Sequence, residues 1–294
     1  MSEPSTRGRW AVIVHGGART IAPELEPRHQ EGCRAAVEAA MAVLRVGGPA
    51  LDAVEAAVRV LEDDPTFNAA TGSVTNSDGE VECDAALMDG RDLAVGAVGA
   101  VRGVRNPVSL ARALLNDEAV LLVGAGAERF AAQIGAPVSL VRQSAASTQG
   151  GCDTVGCVAL DMNGDLAAGT STGGLEGSRP GRVGDCPLPG CGLYAENGVG
   201  GVSLSGEGEA IMRVGMAAWV MRAMQFNTPQ EAAKTGFERL AKVGGEAGAI
   251  AIDADGRIGW MHNSRNFAVA YASHDQAPCA FTNQIDDPQM RLRP

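Results

Sequence analysis

Thr154, Thr170, Ser171, Thr172, Arg179, Arg182, Asp185 and Ser205 fall within one segment, residues 150 to 210, that holds 17 of the chain's 39 glycines. The remaining 233 residues hold the other 22, so the glycine is concentrated here by about threefold. Glycine lets backbone approach a ligand closely. Small hydroxyls, guanidinium groups and a carboxylate set among such residues suit a small polar molecule carrying both signs of charge. Thr154 stands in the run Gly151-Cys152-Asp153-Thr154-Val155-Gly156. A threonine hydroxyl is a weak nucleophile at neutral pH unless a base adjoins it, and the residue's own α-amine can be that base if the threonine begins a chain. An α-amine has an ordinary pKa of about 7.7 to 8.0, close to what a general base at neutral pH requires. The residues just before it, Gln143 to Gly151, are small, polar and unpatterned, as in a linker. A linker followed at once by threonine and a strand is the layout expected of a chain that cuts itself before that threonine. The competing reading is a strand-initial threonine without chemistry.

The elements that must hold these residues follow from periodicity. An apolar run, Trp10 to Val14, ends in His15-Gly16-Gly17 and reads as a buried strand entering a tight turn. Helical patterns cover about His29 to Val46 and Leu51 to Leu61, the latter stopped by Pro65. Strand-like runs follow at Glu80 to Leu87, Leu93 to Val98 and Val120 to Val123, with helices at Ser109 to Asn116 and from near Ala127. After the linker, Gly156 to Asp161 turns through Met162-Asn163-Gly164 into Asp165 to Thr170, a strong hairpin signal. A near copy recurs as Gly248 to Asp253, Ala254-Asp255-Gly256, then Arg257 to Trp260. Two helices, about Glu209 to Met224 and Pro229 to Val243, lie between the copies. Strands in groups and helices in pairs predict an α+β architecture of sheets covered by helices.

Composition narrows the function. The 294 residues carry 35 acidic against 24 basic side chains, a formal charge of −11, and only two lysines, Lys234 and Lys242. A field of that sign repels phosphate backbones and anionic lipid, which excludes nucleic acid and membrane surfaces as expected partners. No apolar run reaches the roughly 18 to 20 residues that span a bilayer, and Met1-Ser-Glu-Pro4 lacks the features of a secretory leader, so the expected location is cytoplasmic. Seven cysteines, an odd number without a CxxC pair, read as free thiols. Two other function classes compete. Val120 to Val123 followed by Gly124-Ala125-Gly126 could open a dinucleotide fold, although Arg129 stands where Gly or Ala is wanted. A non-catalytic protein could hold an amino acid on Arg182 and Asp185.

Thr154-Val-Gly-Cys-Val-Ala-Leu-Asp161, Thr170-Ser-Thr-Gly-Gly174, Pro180-Gly-Arg-Val-Gly-Asp185 and Ser205-Gly-Glu-Gly-Glu209 resemble, in order, segments of the plant-type asparaginase and isoaspartyl peptidase family of N-terminal nucleophile hydrolases. His15-Gly-Gly-Ala18 and Leu61 to Asn68 extend the resemblance over most of the chain. It implies a four-layer αββα sandwich, self-cleavage between Asp153 and Thr154, and subunits 1–153 and 154–294 that together form one domain, paired into a homodimer. It implies Thr154 as nucleophile, Thr172 as its hydrogen-bonding neighbour, and Ser205 with Gly206 as the oxyanion hole, Ser205 replacing the family's usual threonine. Arg182 is implied to bind the substrate's α-carboxylate, which a planar guanidinium fits bidentately, and Asp185 its α-ammonium. The implied substrates are L-asparagine and β-aspartyl dipeptides, with no catalytic cofactor. A structural sodium ion is implied on backbone carbonyls of Leu61, Glu62, Asp64, Phe67, Ala69 and Thr71, hard oxygen ligands of the right type.

Two departures stand out. His262-Asn-Ser-Arg-Asn-Phe267 replaces a segment that in the family usually carries phenylalanine, Asn-Thr and a glycine turn, and the stretch before Thr154 is short. Within the family, glycosylasparaginase and threonine aspartase share the Asp-Thr junction; the Gly-Arg-Val-Gly-Asp185 wording favours asparaginase and isoaspartyl peptidase.

Overall fold

The computed structural model describes residues 8–138 and 154–283; the linker expected at 143–151 and Asp153 lie outside them. The chain runs β1 (Ala11–Arg19), α1 (Glu26–Leu44), α2 (Ala50–Asp63), β2 (Cys83–Asp89), β3 (Val95–Val101), α3 (Pro107–Leu114), β4 (Leu121–Val123) and α4 (Ala125–Gln133). From Thr154 onward it forms β5 (Val155–Leu160), β6 (Leu166–Thr172), β7 (Leu193–Glu196), β8 (Gly200–Gly206), α5 (Gly208–Val214), α6 (Met216–Met224), α7 (Pro229–Leu240), β9 (Ala247–Asp253), β10 (Ile258–His262), β11 (Asn266–Ser273) and β12 (Cys279–Phe281). Eight strands make one sheet in the order β12-β11-β1-β5-β6-β2-β3-β4, and four make a second, β10-β9-β8-β7.

Strand alternation sorts the side chains into four layers. On β5, Val155, Cys157 and Ala159 pack with Val54, Val58 and Leu61 of α2. The intervening Val158 and Leu160 face the second sheet, among Ile250, Ile252 and Trp260. That sheet turns Val202, Leu204, Ala249 and Ala251 outward onto Val220, Met224, Ala233 and Phe237 of α6 and α7. Helices, sheet, sheet and helices therefore stack as an αββα sandwich. β1 and β2, which precede residue 154, flank β5 and β6, which follow it, so both sides of that junction share one continuous sheet.

Two readings need correction, and one strand is added. The helix read over Glu209 to Met224 is two helices, because Gly215 at φ +58 takes the left-handed conformation that ends one and starts the next. β11, unread in the sequence, pairs with β1 inside the large sheet. The dinucleotide reading fails: β4 is a three-residue edge strand, and the other pairings among the described named strands are antiparallel, unlike a nucleotide-binding βαβ sheet. Among the described residues, no helix is long and apolar enough to cross a membrane, and all six described cysteines are free.

Candidate active site

Register brings the hydroxyls together. Val155 pairs with Ser171 across β5 and β6, which puts Thr154 level with Thr172. Thr172 in turn pairs with Asp84 of β2. Directly opposed residues point to the same face, and the neighbours of these three show which face it is: Val158, Ala168 and Ala86, in phase with them, line the seam between the sheets. The residues out of phase point to the helices instead, and Ser171 donates to Glu62 of α2 at 2.7 Å. Thr154 and Thr172 are both buried, and the Thr172 hydroxyl oxygen accepts the Gly174 N–H at 3.2 Å.

The second sheet supplies the facing wall. Ser205, at the end of β8, is fully buried, and its Oγ accepts the N–H of Ala18 at 3.1 Å. That bond fixes the oxygen and leaves the hydroxyl proton to be donated elsewhere. Ala18 can reach it because β1 bulges between His15 and Ala18, the Gly16-Gly17 turn of the sequence. Gly206 holds φ +145, a backbone that side-chain-bearing residues rarely adopt, which orients its peptide at the strand end. Two strand positions back, Ser203 lies 2.8 Å from His15 Nε2. Burial pushes the His15 imidazole down to about 3, against a smaller upward pull from the Thr154 backbone, so it is neutral at physiological pH.

Arg182 and Asp185 close the site on one side. The Arg182 guanidinium forks onto Glu209 of α5, Nε to Oε1 at 2.9 Å and Nη2 to Oε2 at 2.8 Å. Asp185 is buried, and its Oδ2 has no hydrogen-bond partner. Burial pushes its carboxyl up to about 7, with Asp84 and Glu209 adding to the rise and Arg182 opposing it. An unpartnered carboxylate oxygen is costly to bury; a ligand cation would relieve that cost. Gly208 touches both groups: a Cβ there would stand 2.8 Å from Asp185 Oδ1 and 3.1 Å from Arg182 Nη2.

The segment carrying Leu61, Glu62, Asp64, Phe67, Ala69 and Thr71 is the C-terminal end of α2, a turn, and a short 3-10 helix over Ala70–Gly72. Carbonyls at a helix C-terminus lack intrahelical partners and carry partial negative charge, which fits a cation. The Phe67 and Ala69 carbonyls already accept N–H groups within the turn. The Glu62 side chain is not part of this donor set: it turns inward to Ser171 and to the N–H of Val108. Among the described residues, no cluster of three or more His, Cys, Asp or Glu side chains is placed to hold a metal.

Sequence reasoning missed Asp84, Ala18, and the His15–Ser203 pair. A signal existed for two of them. Asp84 interrupts an apolar strand, Cys83-Asp-Ala-Ala-Leu-Met88, and Ser203 precedes Ser205 by one strand period. His262, in the segment that departs from the family pattern, ends β10 and contacts the Phe267 ring at 5.7 Å, which in turn meets His15 at 5.6 Å.

Known proteins resemble this chain over most of its length. A family model described as Asparaginase matches residues 8–149 and 138–281. The isoaspartyl peptidase/L-asparaginase of Xenopus laevis is 42% identical over 286 residues, covering 90% of this chain and 93% of its own length. The protein of the same name from Bos taurus is 41% identical over 284 residues, 88% and 92% of the two chains, and that of Homo sapiens 38% over 299 residues, 94% and 96%. Matched on both sides of Thr154 and across both sheets, the chain belongs to the asparaginase family.

Proposed function

We propose that this protein is a threonine amidohydrolase that cuts its own chain between Asp153 and Thr154. It then hydrolyses the side-chain amide of L-asparagine, or the isopeptide bond of β-aspartyl dipeptides. The observation that carries this reading is the row of Thr154 and Thr172 at the open end of β5 and β6, linked through Asp84 to a buried Asp185 with an unpartnered oxygen. Such an oxygen suits an α-ammonium, and Arg182 suits the α-carboxylate of the same amino-acid head. In the uncut chain the Thr154 nitrogen is an amide and cannot act as base; cleavage turns it into an amine.

In the cut enzyme, the Thr154 hydroxyl attacks the side-chain carbonyl carbon of the substrate while its α-amine takes the hydroxyl proton. The Ser205 hydroxyl and the Gly206 N–H are donors for the oxyanion that forms. The amine returns the proton to the leaving nitrogen, ammonia or a peptide amine departs, and an ester on Thr154 remains. Water, deprotonated by the same amine, hydrolyses that ester and frees aspartate. Thr172 orients the nucleophile. A sodium ion on the carbonyls of the Leu61 to Thr71 segment would hold the end of α2 and has no part in these steps. A homodimer of cut chains in the cytoplasm completes the reading.

Intact mass with N-terminal sequencing tests it. The expected result is two pieces of 153 and 141 residues, the second beginning Thr154-Val-Gly. Thr154→Ala is expected to give one 294-residue chain that turns nothing over. Full β-aspartyl hydrolysis by that variant would overturn the assignment.

A further inference from the structure

Asp84 has no role in the steps above, yet its buried carboxylate joins the two parts of the site. It sits at a bulge: Cys83 pairs with Val101 and Ala85 with Val98, so Gly99 and Ala100 of β3 together oppose Asp84. Ala100 holds φ +46, a costly conformation outside glycine. A bulged residue has no ladder partner for its N–H; here Asp84 Oδ1 accepts it at 2.8 Å. Asp84 Oδ2 accepts the N–H of Gly184 at 3.2 Å. Gly184 directly precedes Asp185, and only Val183 lies between it and Arg182.

We propose that Asp84 is the positioning residue for the amino-acid head of the substrate: it fastens the Gly184 amide to β2, sets the separation of the Arg182 guanidinium from the Asp185 carboxylate, and adds its own negative charge to the field that draws in the α-ammonium. The inference rests on the amidohydrolase reading given above. A strained, carboxylate-pinned bulge has a purpose under it, since the same strand that carries Asp84 pairs with Thr172, and so one residue ties the head-binding loop to the nucleophile row.

The surrounding charges agree. Burial raises the Asp84 carboxyl to about 6 and that of Asp185 to about 7. Arg182 pulls both down, Glu82 pushes Asp84 up, and Asp84 and Glu209 push Asp185 up. The neighbouring thiols of Cys83 and Cys186 are raised by burial and stay neutral. An arriving ammonium favours the ionised form of both carboxyls.

The test compares wild type with Asp84→Asn in self-cleavage, kcat, KM and the pH profile of kcat/KM on a β-aspartyl dipeptide. Asparagine cannot accept both N–H groups as the carboxylate does. We expect the variant to cut itself, to keep kcat within about threefold, and to raise KM about tenfold. Removing the neighbouring negative charge also lets Asp185 ionise more readily, so the acid limb of kcat/KM moves to lower pH. A residue that only braces the loop would raise KM without that movement, and such a result overturns the proposal, as does an unchanged KM. If the variant does not fold, calorimetry on the wild type in buffers of different ionisation enthalpy decides. Binding of L-aspartate at pH 6 is expected to release protons, because burial favours the protonated form of both carboxyls and the arriving ammonium favours the ionised form. Binding without proton release overturns the proposal. A wild type that is cut but hydrolyses neither asparagine nor the dipeptide defeats the amidohydrolase reading itself.

Discussion

The hairpins β5–β6 and β9–β10 are built on one plan and have opposite fates. Each turns on an aspartate, Asp161 or Asp253, whose Oδ1 accepts two N–H groups of its own turn, and each turn carries a positive-φ glycine, Gly164 or Gly256. Superposing the turns by sequence aligns Gly156 with Gly248, Thr154 with Glu246, and Thr172 with Ser264. The first hairpin lies inside the eight-stranded sheet, between β1 and β2, so its open end has a strand on either side. The second ends its sheet at β10, and Glu246 is exposed. The turn therefore specifies a hairpin, and the neighbours of its open end decide whether that end can do chemistry. Thr154 is buried level with Thr172 at that end; the aligned position of the second hairpin instead pins the loop after β8, where the Glu207 N–H donates to the Glu246 carbonyl.

The largest effect that could break this contrast is at the aligned pair Thr172 and Ser264. Thr172→Val keeps the shape and removes the hydroxyl level with Thr154, and kcat is expected to fall by about 10²-fold or more through misplacement of the nucleophile. Ser264 donates to the Asn266 carbonyl at 2.8 Å, a local bond away from the nucleophile row. Ser264→Ala is expected to leave kcat within about threefold. Equal losses in steady-state assays of the two variants would erase the distinction between the hairpins. Next in size is Ser205, which pairs with Gly248 of the second hairpin. Ser205→Ala is expected to cost about 10² to 10³ in kcat, the usual toll of one oxyanion donor, with KM little changed. Ser205→Thr should retain most activity.

Much of this was legible because the informative residues are local. Asn163-Gly164 and Asp255-Gly256 mark both turns, and the glycine-dense stretch after residue 150 contains Thr154, Thr172, Arg182, Asp185, Ser205 and Gly206. The misses share a physical cause, dependence on distant partners. β11 is covered on both faces, so Phe267 to Ala272 shows no polar alternation to mark a strand. Gly215 reads as one weak position in a helix, and only its left-handed φ reveals a break. The Asp84 role needs the bulge in β3 and the Gly184 loop, about a hundred residues further along the chain.

The outer face of the first hairpin gives a smaller effect, on stability. Glu62 is buried under it, accepts from Ser171 and Val108, and is raised to about 8 by burial, against the downward pull of those two bonds. A carboxyl whose pKa is higher in the folded than in the unfolded protein holds its proton on folding. Its stabilising contribution is complete below the unfolded value of 4.5 and is lost as pH rises through about 8. Glu62→Gln keeps an acceptor and cannot ionise. Its melting temperature is expected to fall less between pH 5 and 8 than that of the wild type, by a few degrees in thermal unfolding. Parallel curves would show that Glu62 does not titrate in that window.

The smallest effect separates the two turn aspartates. Asp161 accepts three N–H groups: Asn163 at 2.8 Å, Asp165 at 3.1 Å and, through Oδ2, Ala50 at the start of α2 at 3.0 Å. Asp253 accepts two, Asp255 at 3.0 Å and Arg257 at 2.8 Å, and its ion pair with Arg257 spans 3.4 Å to a side chain that is 62% exposed. An exposed arginine contributes little through such a pair, about 0 to 1 kcal/mol. Breaking charge-assisted bonds that also anchor a helix start costs more, about 1 to 3 kcal/mol for each donor left buried. Asp161→Ala is therefore expected to destabilise the fold about twice as much as Asp253→Ala in denaturant unfolding. The reason lies outside the turns, which are alike: one hairpin is stitched to α2 and the other ends at the edge of its sheet. Equal destabilisation would mean that the turn bonds alone carry the energy and that the stitch to Ala50 adds nothing.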